Sequence, residues 1–227
     1  MSNPSSNLGI IAKKRGMTQV FDAEGQITTV TILEVFPLTV TQVKSAESDG
    51  YSAVQIAYQS AKAKHLNKPK QGLFNKVGVG LHRHLQEFRI PAEQLSNFTS
   101  GQALDIEGVF QPGDSVRVTG TSIGKGFQGN IKAHNHHRGP MSHGSKSHRL
   151  PGSIGAGTTP GRVFKGLPMA TNLGNERVTI NNLKVVNMLT VQDDVTQETA
   201  QLILISGSVP GKKGSVVTIK SFKQVGK

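Results

Sequence analysis

Apolar and polar residues alternate over short stretches near both ends of the chain, and turn-forming residues separate these stretches. Near the start, MTQVF and QITTVTILEV flank a predicted turn at Asp22-Ala23-Glu24-Gly25, and LTVTQVK and SAVQIAY follow. Near the end, RVTINNLKVVNML, QLILIS and SVVTIKS repeat the alternation, with a predicted turn at Asp193-Asp194. A period of two residues indicates half-buried β-strands. Many short strands separated by turns predict a mainly β fold, either a barrel or a sandwich.

The middle of the chain is less regular. ALDIEGVFQPGDSVRVTGTS predicts two further strands, joined by a turn at Gln111-Pro112-Gly113-Asp114. AKAKHLNKPKQGLFNKVGVGLHRHLQEFRI places cations around small apolar clusters, which is typical of an insertion with one short helix. The predicted organisation is a flexible start (1–7), a first barrel segment (8–60), a small mixed, basic insertion (61–95), a second barrel segment (96–120), an extended loop (121–174), a third barrel segment (175–222) and a flexible tail (223–227).

Charge sets one region apart from the rest. The net charge is +12, yet all 14 acidic residues lie at or before Asp114 or at and after Glu176. The acid-free stretch carries Arg117, Lys125, Lys132, Arg138, Lys146, Arg149, Arg162 and Lys165. Like charges repel, and its many glycines raise the entropy cost of ordering, so we expect this stretch to be disordered alone. Against a phosphate backbone the same residues gain counterion release, which predicts a nucleic-acid partner.

Composition excludes several other classes. The chain has no cysteine, so it has no disulfide framework, thiolate nucleophile or cysteine-based metal site. No apolar run approaches the roughly 20 residues that span a bilayer, and the start lacks the charged-then-apolar order of a secretory signal. We therefore expect a soluble intracellular protein without a membrane partner. The aromatic share of 5% disfavours a single-strand binder built on stacking, so structured RNA or DNA is the expected ligand. No helix-turn-helix, zinc finger or basic zipper is present, and an extended loop of Gly, Arg, Lys and His suits an irregular RNA fold better than a regular groove.

Two nucleotide-binding motifs are only formally present in the acid-free stretch. GKGFQG matches G-x-G-x-x-G at Gly124, Gly126 and Gly129, but no helix pattern follows and no acidic residue stands about 20 positions later to hold a ribose hydroxyl. Gly152 and Gly157 have P-loop separation, but Thr158 stands where the lysine belongs. Neither motif predicts a nucleotide site.

Histidines and serines in the same stretch allow one enzymatic alternative. The histidines are His134, His136, His137, His143 and His148. They form no HExxH motif, and no carboxylate in the stretch can orient the rings or act as a general base. The nearby serines lack an orienting acid as well, although a distant one could serve. A metal-dependent enzyme using the histidine-rich loop is thus the alternative to an RNA-binding protein, whose histidines would contact phosphates and 2′-hydroxyls.

Several specific motifs carry a family resemblance. HGSKSHRLPGSIGAGTTPGRVFKG, GNERVTI, GMTQVF and DGYSAVQIAY resemble the family of large-subunit ribosomal protein number three in its bacterial form, from about Leu8 to Ile219. The resemblance implies a translation-protein-type β-barrel at the ribosome surface and a long loop that enters 23S-type rRNA toward the peptidyl transferase centre. It also implies early binding during subunit assembly and contacts with the large-subunit proteins numbered fourteen and nineteen. A structural role without enzyme activity, cofactor, metal or small-molecule substrate is expected.

The expected rRNA contacts fall on cations and histidines of the start, the insertion and the loop. They are Lys13, Lys14, Arg15, Lys62, Lys64, Lys68, Lys70, Arg83, Lys125, Lys132, His134, His136, His137, Arg138, His143, Lys146, His148, Arg149, Arg162 and Lys165. The loop tip expected near the peptidyl transferase centre is Ser153, Ile154, Gly155, Ala156, Gly157, Thr158 and Thr159. We expect Gly155 and Gly157 to adopt backbone angles that other residues avoid.

Two departures from the family pattern limit what is carried over. Relatives commonly have a methylated glutamine just before the Thr-Pro-Gly of the tip, where this chain has Thr158, so that modification is not expected. LGIIAKKRGMTQ adds Lys13-Lys14-Arg15 to the usual opening. SIGAGTTPG resembles cyanobacterial and plastid members, which implies a ribosome of a bacterial cytoplasm or a plastid stroma.

Overall fold

The computed structural model of the chain describes residues 8–22, 24–104, 109–192 and 199–222. The strands of these ranges are β1 (Ile10–Phe21), β2 (Ile27–Val35), β3 (Leu38–Lys44), β4 (Ala53–Ser60), β5 (His82–Arg89), β6 (Ala103–Leu104), β7 (Ser115–Thr121), β8 (Phe127–Gln128), β9 (Thr171–Asn172), β10 (Arg177–Gln192), β11 (Thr199–Ser206) and β12 (Val216–Ser221). The α-helices are α1 (Ala46–Asp49), α2 (Lys68–Val77) and α3 (Asn130–His134), and 3₁₀ segments span Ala63–His65 and Ala92–Asn97. The expectations for Ala23, Asp193-Asp194 and both chain ends lie outside the described residues.

The described residues divide into two compact units. The first runs up to Thr121 and resumes at Arg177, and the second is Ser122–Glu176. The acid-free loop predicted at 121–174 thus corresponds closely to a unit of its own. Within the described residues, no helix is both long and apolar enough to cross a membrane.

Six strands of the first unit close into an antiparallel barrel in the order β1-β12-β7-β10-β11-β2. Alternation along each strand explains the closure. On β7, Val116 and Val118 are buried inside, while Arg117 is exposed on the outer face. Gly120 continues the inner row, and a Cβ there would come within 2.9 Å of Val217 Cγ1. The prediction of a mainly β fold is confirmed.

A second sheet of the first unit has the order β5-β4-β3-β6. The prediction that 8–60 lies wholly in the barrel is therefore wrong for β3 and β4, and among the described residues of the predicted second barrel segment, 96–120, only β7 belongs to the ring. The reason is physical: alternation specifies that one face of a strand is buried, but not which sheet the strand joins. Within the predicted insertion, α2 is present, and β5 pairs with β4 from Ala53↔Arg89 to Ser60↔His82.

One hydrophobic cluster fills the first unit. Barrel residues such as Ile10, Ile203 and Ile219 and second-sheet residues such as Ile56 and Phe88 belong to the same cluster, and all are at most 1% exposed. The helix α2 begins at the cap Asn67, whose side chain accepts from the Lys70 amide at 3.3 Å, and ends at Gly78 with φ 75°. Its one buried residue is Phe74. This packing gives the first unit a core of its own.

Candidate nucleic-acid interface

The second unit has no hydrophobic core. Its one buried residue is Asn130, which is 5% exposed, and every residue from 149 to 168 is exposed. Large apolar side chains lie on its surface, namely Ile123, Phe127, Met141, Leu150, Ile154, Val163, Phe164 and Leu167. Because burial of apolar area is the main source of folding free energy, this unit gains little of it by itself.

Backbone hydrogen bonds join the two ends of the second unit. The Ser122 amide donates to the Glu176 carbonyl at 2.9 Å, and the Lys125 amide donates to the Leu173 carbonyl at 2.8 Å. Between them the chains approach so closely that a Cβ at Gly174 would clash with the Ile123 carbonyl, and Gly174 also has φ 74°. Only glycine satisfies both conditions. The two ends of the loop are thus paired with each other by backbone hydrogen bonds.

Asn130 and His134 tie the short helix α3 to the returning chain. The Asn130 Nδ2 donates to the Pro168 carbonyl at 2.8 Å. The His134 Nε2 donates to the Met169 carbonyl at 2.9 Å. Further out, the His148 Nδ1 donates to the Pro140 carbonyl, also at 2.9 Å. Two of the histidines expected to contact rRNA therefore have one ring nitrogen committed to the loop's own backbone.

The tip, residues 153–159, is exposed throughout and has no regular secondary structure. Gly155 has φ 135°, a backbone conformation that L side chains rarely adopt, as expected. Gly157 lies outside the positive-φ region, so the same expectation is wrong there. Past the tip, the Arg162 guanidinium lies over the Phe164 ring, 5.2 Å from its centroid. Arginine and an aromatic face are thus presented together on an exposed segment.

The loop cations are exposed and uncompensated. Lys125, Lys132, Arg138, Lys146, Arg149, Arg162 and Lys165 are all exposed. Within the described residues, the ion pairs are Arg15–Glu34 and Lys44–Glu87, so none of these seven has a carboxylate partner. The insertion cations Lys62, Lys64, Lys68, Lys70 and Arg83 are exposed as well and belong to the first unit. The arrangement suits an external polyanion.

The structure corrects the expectation for the start of the chain. Lys14 is only 9% exposed, and its Nζ donates to the carbonyls of Val209 at 2.9 Å and Gly211 at 3.0 Å. Burial lowers the pKa of Lys14. Its ammonium is therefore engaged as a structural donor within the first unit. Next to it, Arg15 forms an ion pair with Glu34 at 2.6 Å, so its charge is already offset.

The loop histidines do not gather into a set of metal ligands within the described ranges of the chain. Within them, no three His, Asp, Glu or Cys side chains come together as ligands. The closest approach of loop histidine rings is between His134 and His136, at 6.0 Å between centroids. The tip has no side chain that titrates near neutrality. The loop therefore presents exposed charge and hydrogen-bond donors.

Sequence reasoning missed one group of cations. Arg117, Arg177 and Lys220 are 60 and 43 residues apart in the chain, and none was assigned to a site. Strand pairing brings them to one outer face of the barrel, with Lys220 directly opposite Arg117. All three occupy outward-facing positions of their strands, which is the signal that could have identified them. That signal indicates a shared surface only once it is known which strands are neighbours.

Comparison with known proteins agrees with this architecture. The family model described as Ribosomal protein L3 matches residues 12–226. The chain is similar to the large ribosomal subunit protein uL3 of Thermosynechococcus vestitus, with 47% identity over 97% of this chain and 99% of that protein. It is similar to the protein of the same name from Gloeobacter violaceus, with 48% identity over 97% and 98%, and from Finegoldia magna, with 46% identity over 93% and 96%. The chain therefore belongs to the ribosomal protein L3 family and is a structural protein of the large ribosomal subunit.

Proposed function

We propose that the second unit binds 23S-type rRNA directly and extends its tip toward the peptidyl transferase centre, and that this binding nucleates early assembly of the subunit. The observation that carries the proposal is the run from 149 to 168, which is wholly exposed, cationic and free of carboxylates. An unaided segment of this kind gains too little from burial to offset the entropy of ordering. Packed RNA supplies the counter-charge and the surface that the segment lacks.

The chemistry of the loop matches RNA rather than a lipid or a small anion. Arginine and lysine neutralise phosphates, and each neutralised phosphate releases counterions. Glycines such as Gly152, Gly155 and Gly161, all at positive φ, allow the main chain to approach a sugar–phosphate backbone closely. Exposed rings such as Phe127 and Phe164 can stack on unpaired bases, as irregular RNA folds permit. Charge, backbone and rings therefore all favour a folded RNA.

The tip acts by shape and not by chemistry. Its hydroxyls and amides do not ionise near neutral pH, so it contributes no general acid or base to peptide-bond formation. Any influence on the reaction passes through the conformation of the surrounding RNA. This agrees with a structural role for the whole chain.

Two finer elements of the proposal rest on the family resemblance. Early binding requires a protein that folds before its RNA partner is complete, and the cored first unit meets that requirement. The large-subunit proteins numbered fourteen and nineteen are the proposed neighbours of this unit. The exposed cations of the insertion, Lys62, Lys64, Lys68, Lys70 and Arg83, are proposed as additional rRNA contacts.

A salt titration tests the proposal. Binding of the full chain to a large-subunit rRNA transcript is measured against salt for the wild type and for a variant with Lys146, Arg149, Arg162 and Lys165 changed to glutamine. We expect the slope of log affinity against log salt to fall by about three to four units, since each lost phosphate contact removes about 0.7–0.9. Changing Lys212 and Lys213, which lie in an exposed turn, is the control. A slope unchanged in the fourfold variant would remove the loop from the phosphate interface.

A tip variant tests the proposed position. Gly155→Arg adds a bulky cation where nothing lies within 4 Å but where φ is 135°, so the backbone must shift locally at the tip. Because the tip lies outside the cored first unit, the free protein should still melt as the wild type does. Large subunits that carry it should assemble poorly or respond differently to antibiotics of the peptidyl transferase centre. Gly157→Ala is the control, because its Cβ meets open space at an ordinary φ. A lowered melting temperature with normal subunits would place the tip on protein instead.

A further inference from the structure

The outer face of three neighbouring barrel strands is built from cations and hydroxyls. On β7, the outward positions are Arg117, Thr119 and Thr121, between the inward Val116 and Val118. The paired strands β10 and β12 continue this face with Arg177, Thr179, Thr218 and Lys220. We call these seven residues the β7 patch.

Strand register brings the three cations of the patch onto one surface. Lys220 lies directly opposite Arg117, and Arg177 lies directly opposite Thr121. Directly opposed residues of antiparallel strands share a face, with Cβ atoms about 4.5–5.5 Å apart. Arg117 and Thr121 are four positions apart on β7, so Arg177 lies about 13 Å along the strand from the Arg117–Lys220 pair. The patch is an elongated track and not a pocket for one ion.

The charges of the β7 patch are not offset within the described chain. Neither described ion pair includes a patch residue. The carboxylate that lines the adjoining cleft is Glu87, and it is held by Lys44 at 2.8 Å and by the Tyr51 hydroxyl at 2.7 Å. Burial, and then the charges of Arg117 and Arg177, lower the pKa of Lys220. Like charges directly opposite on a sheet are destabilising. The repulsion between Arg117 and Lys220 therefore destabilises the free protein, and no described ion pair offsets it.

Packing fixes the patch in place. The Lys220 Nζ lies 4.9 Å from the centroid of the buried Phe88 ring, which holds the side chain along the barrel. The Thr119 and Thr179 hydroxyls are 2.8 Å apart. An open cleft of about 480 Å³ runs past Thr119, Thr218 and Arg177. Arg117, Thr121, Arg177 and Thr179 are exposed on this surface, whereas Thr218 and Lys220 are half-buried against the second sheet, where the Gln86 Nε2 donates to the Thr218 hydroxyl at 3.2 Å.

We infer that the β7 patch is a further contact surface for the sugar–phosphate backbone of rRNA, carried by the barrel and built from residues outside both the insertion and the second unit. The inference rests on the proposed function, because it takes the same RNA as the ligand. Cations spaced along a strand and alternating with hydroxyl donors fit repeated phosphates and ribose hydroxyls. A protein partner would instead use aromatic or aliphatic anchors at the centre of its contact, and here threonine hydroxyls occupy that place.

The first test removes charge from the patch. The full chain with Arg117→Gln and Arg177→Gln is titrated with salt on the large-subunit rRNA transcript, beside Lys212→Gln with Lys213→Gln, which removes the same charge from the exposed turn. We expect the patch variant to lower the salt slope by about 1.4–1.8 units, so that roughly tenfold less affinity is lost between about 0.1 and 0.4 M salt. The control should keep the wild-type slope. The patch variant should also melt no lower than the wild type, since it relieves the repulsion with Lys220.

The outcomes separate this inference from the proposed function. A patch variant with the control's slope, beside a fourfold loop variant with a reduced slope, would overturn the patch and leave the loop proposal intact. If neither variant changes the slope, both proposals fail. A lowered melting temperature of the patch variant with an unchanged slope would show that the two arginines only stabilise the barrel, which also overturns the inference.

The second test locates the ligand. Because the chain has no cysteine, Thr121→Cys provides a single site for an iron chelate that generates hydroxyl radicals. In reconstituted large subunits we expect rRNA strand cuts from this site well above those from Thr29→Cys, an exposed threonine on β2. Equal cutting from both sites, or cleavage of a neighbouring protein in place of RNA, would overturn the assignment to RNA.

Discussion

The two units of this chain achieve order by opposite means. In the first, apolar residues such as Ile219 and Phe88 are fully buried and the polar positions alternate outward. In the second, apolar residues such as Phe127 and Leu150 are about 70% exposed, and glycines and backbone hydrogen bonds do the positioning. The first unit offsets its entropy cost within the chain, and the second leaves that cost to its partner.

The difference concerns what determines the conformation of each unit. A cored unit is insensitive to what surrounds it, because its contacts are internal. A coreless unit takes its conformation from the surface against which it packs, and it can therefore fit an irregular RNA interior that no preformed barrel could enter. Four measurements test this contrast.

Proteolysis should show the largest difference. Limited trypsin digestion of the free protein should cut at Arg149, Arg162 or Lys165 at least about a hundredfold faster than at barrel sites such as Lys220, which require unfolding that costs about 5–15 kcal/mol. Addition of the rRNA transcript should protect the loop sites. If the loop resists trypsin as well as the barrel does, it has internal stability that the exposed fractions do not reveal.

Truncating a phenylalanine in each unit compares their cores directly. Phe88→Ala should cost about 3–5 kcal/mol of unfolding free energy, because the ring is fully buried and a cavity remains. Phe164→Ala should change it by less than about 0.5 kcal/mol, since that ring is 57% exposed. Urea denaturation of both variants checks the pair. Similar losses would contradict the division into cored and coreless units.

A substitution of Lys14 tests whether this buried cation stabilises the first unit. Lys14→Met keeps the apolar stem but leaves the Val209 and Gly211 carbonyls without their donor, and should cost about 1–3 kcal/mol. Its affinity for rRNA should not change. Lys212→Met is the exposed control and should be neutral in thermal denaturation. Weaker RNA binding by Lys14→Met, with an unchanged melting temperature, would restore Lys14 to the contact set.

Acid should weaken the first unit by a smaller amount. Burial lowers the pKa of His82 below 6.5, and its Nδ1 has no hydrogen-bond partner within the described residues. The unfolded chain therefore binds the proton more readily, so stability is complete above pH 6.5 and falls as pH drops below that value. The slope should stay under about 1.4 kcal/mol per pH unit for this one group. Between pH 7.5 and about 5, the melting temperature of His82→Gln should depend less on pH than that of the exposed control His65→Gln.

Much of the fold was predictable because alternation is a local property. The strands β2, β7 and β12 follow directly from their periods of two, and the acid-free stretch marks the second unit within a few residues. Sheet membership was not predictable. LTVTQVK and SVVTIKS look alike as sequences, yet one pairs in the second sheet and the other closes the barrel. Which strands are neighbours depends on long-range contacts that the local pattern does not contain.

The residues of the candidate site were predictable in the loop, where charge composition alone identifies them. They were not predictable where the answer depends on which face of a strand a residue occupies. The loop cations stand out by the absence of carboxylates over 115–175. Lys14 was misassigned although a signal existed, since Ile10, Ala12 and Lys14 share one inward-facing row of β1. The β7 patch was missed because its members come from three distant segments, and only the register joins them.

The barrel ring has a consequence for synthesis of the chain. Its first strand, β1, is sealed on one side by β12, from Ile10↔Ile219 to Lys13↔Val216. Chains are made from the amino end, so the ring cannot close until the final strand has left the exit tunnel. By then the cationic loop has already emerged, and its cations are exposed while the barrel is still incomplete. Contacts of such long sequence separation fold slowly. Until its synthesis is complete, a nascent chain with this topology needs another molecule to cover the loop cations, or prompt access to the RNA that it is proposed to bind.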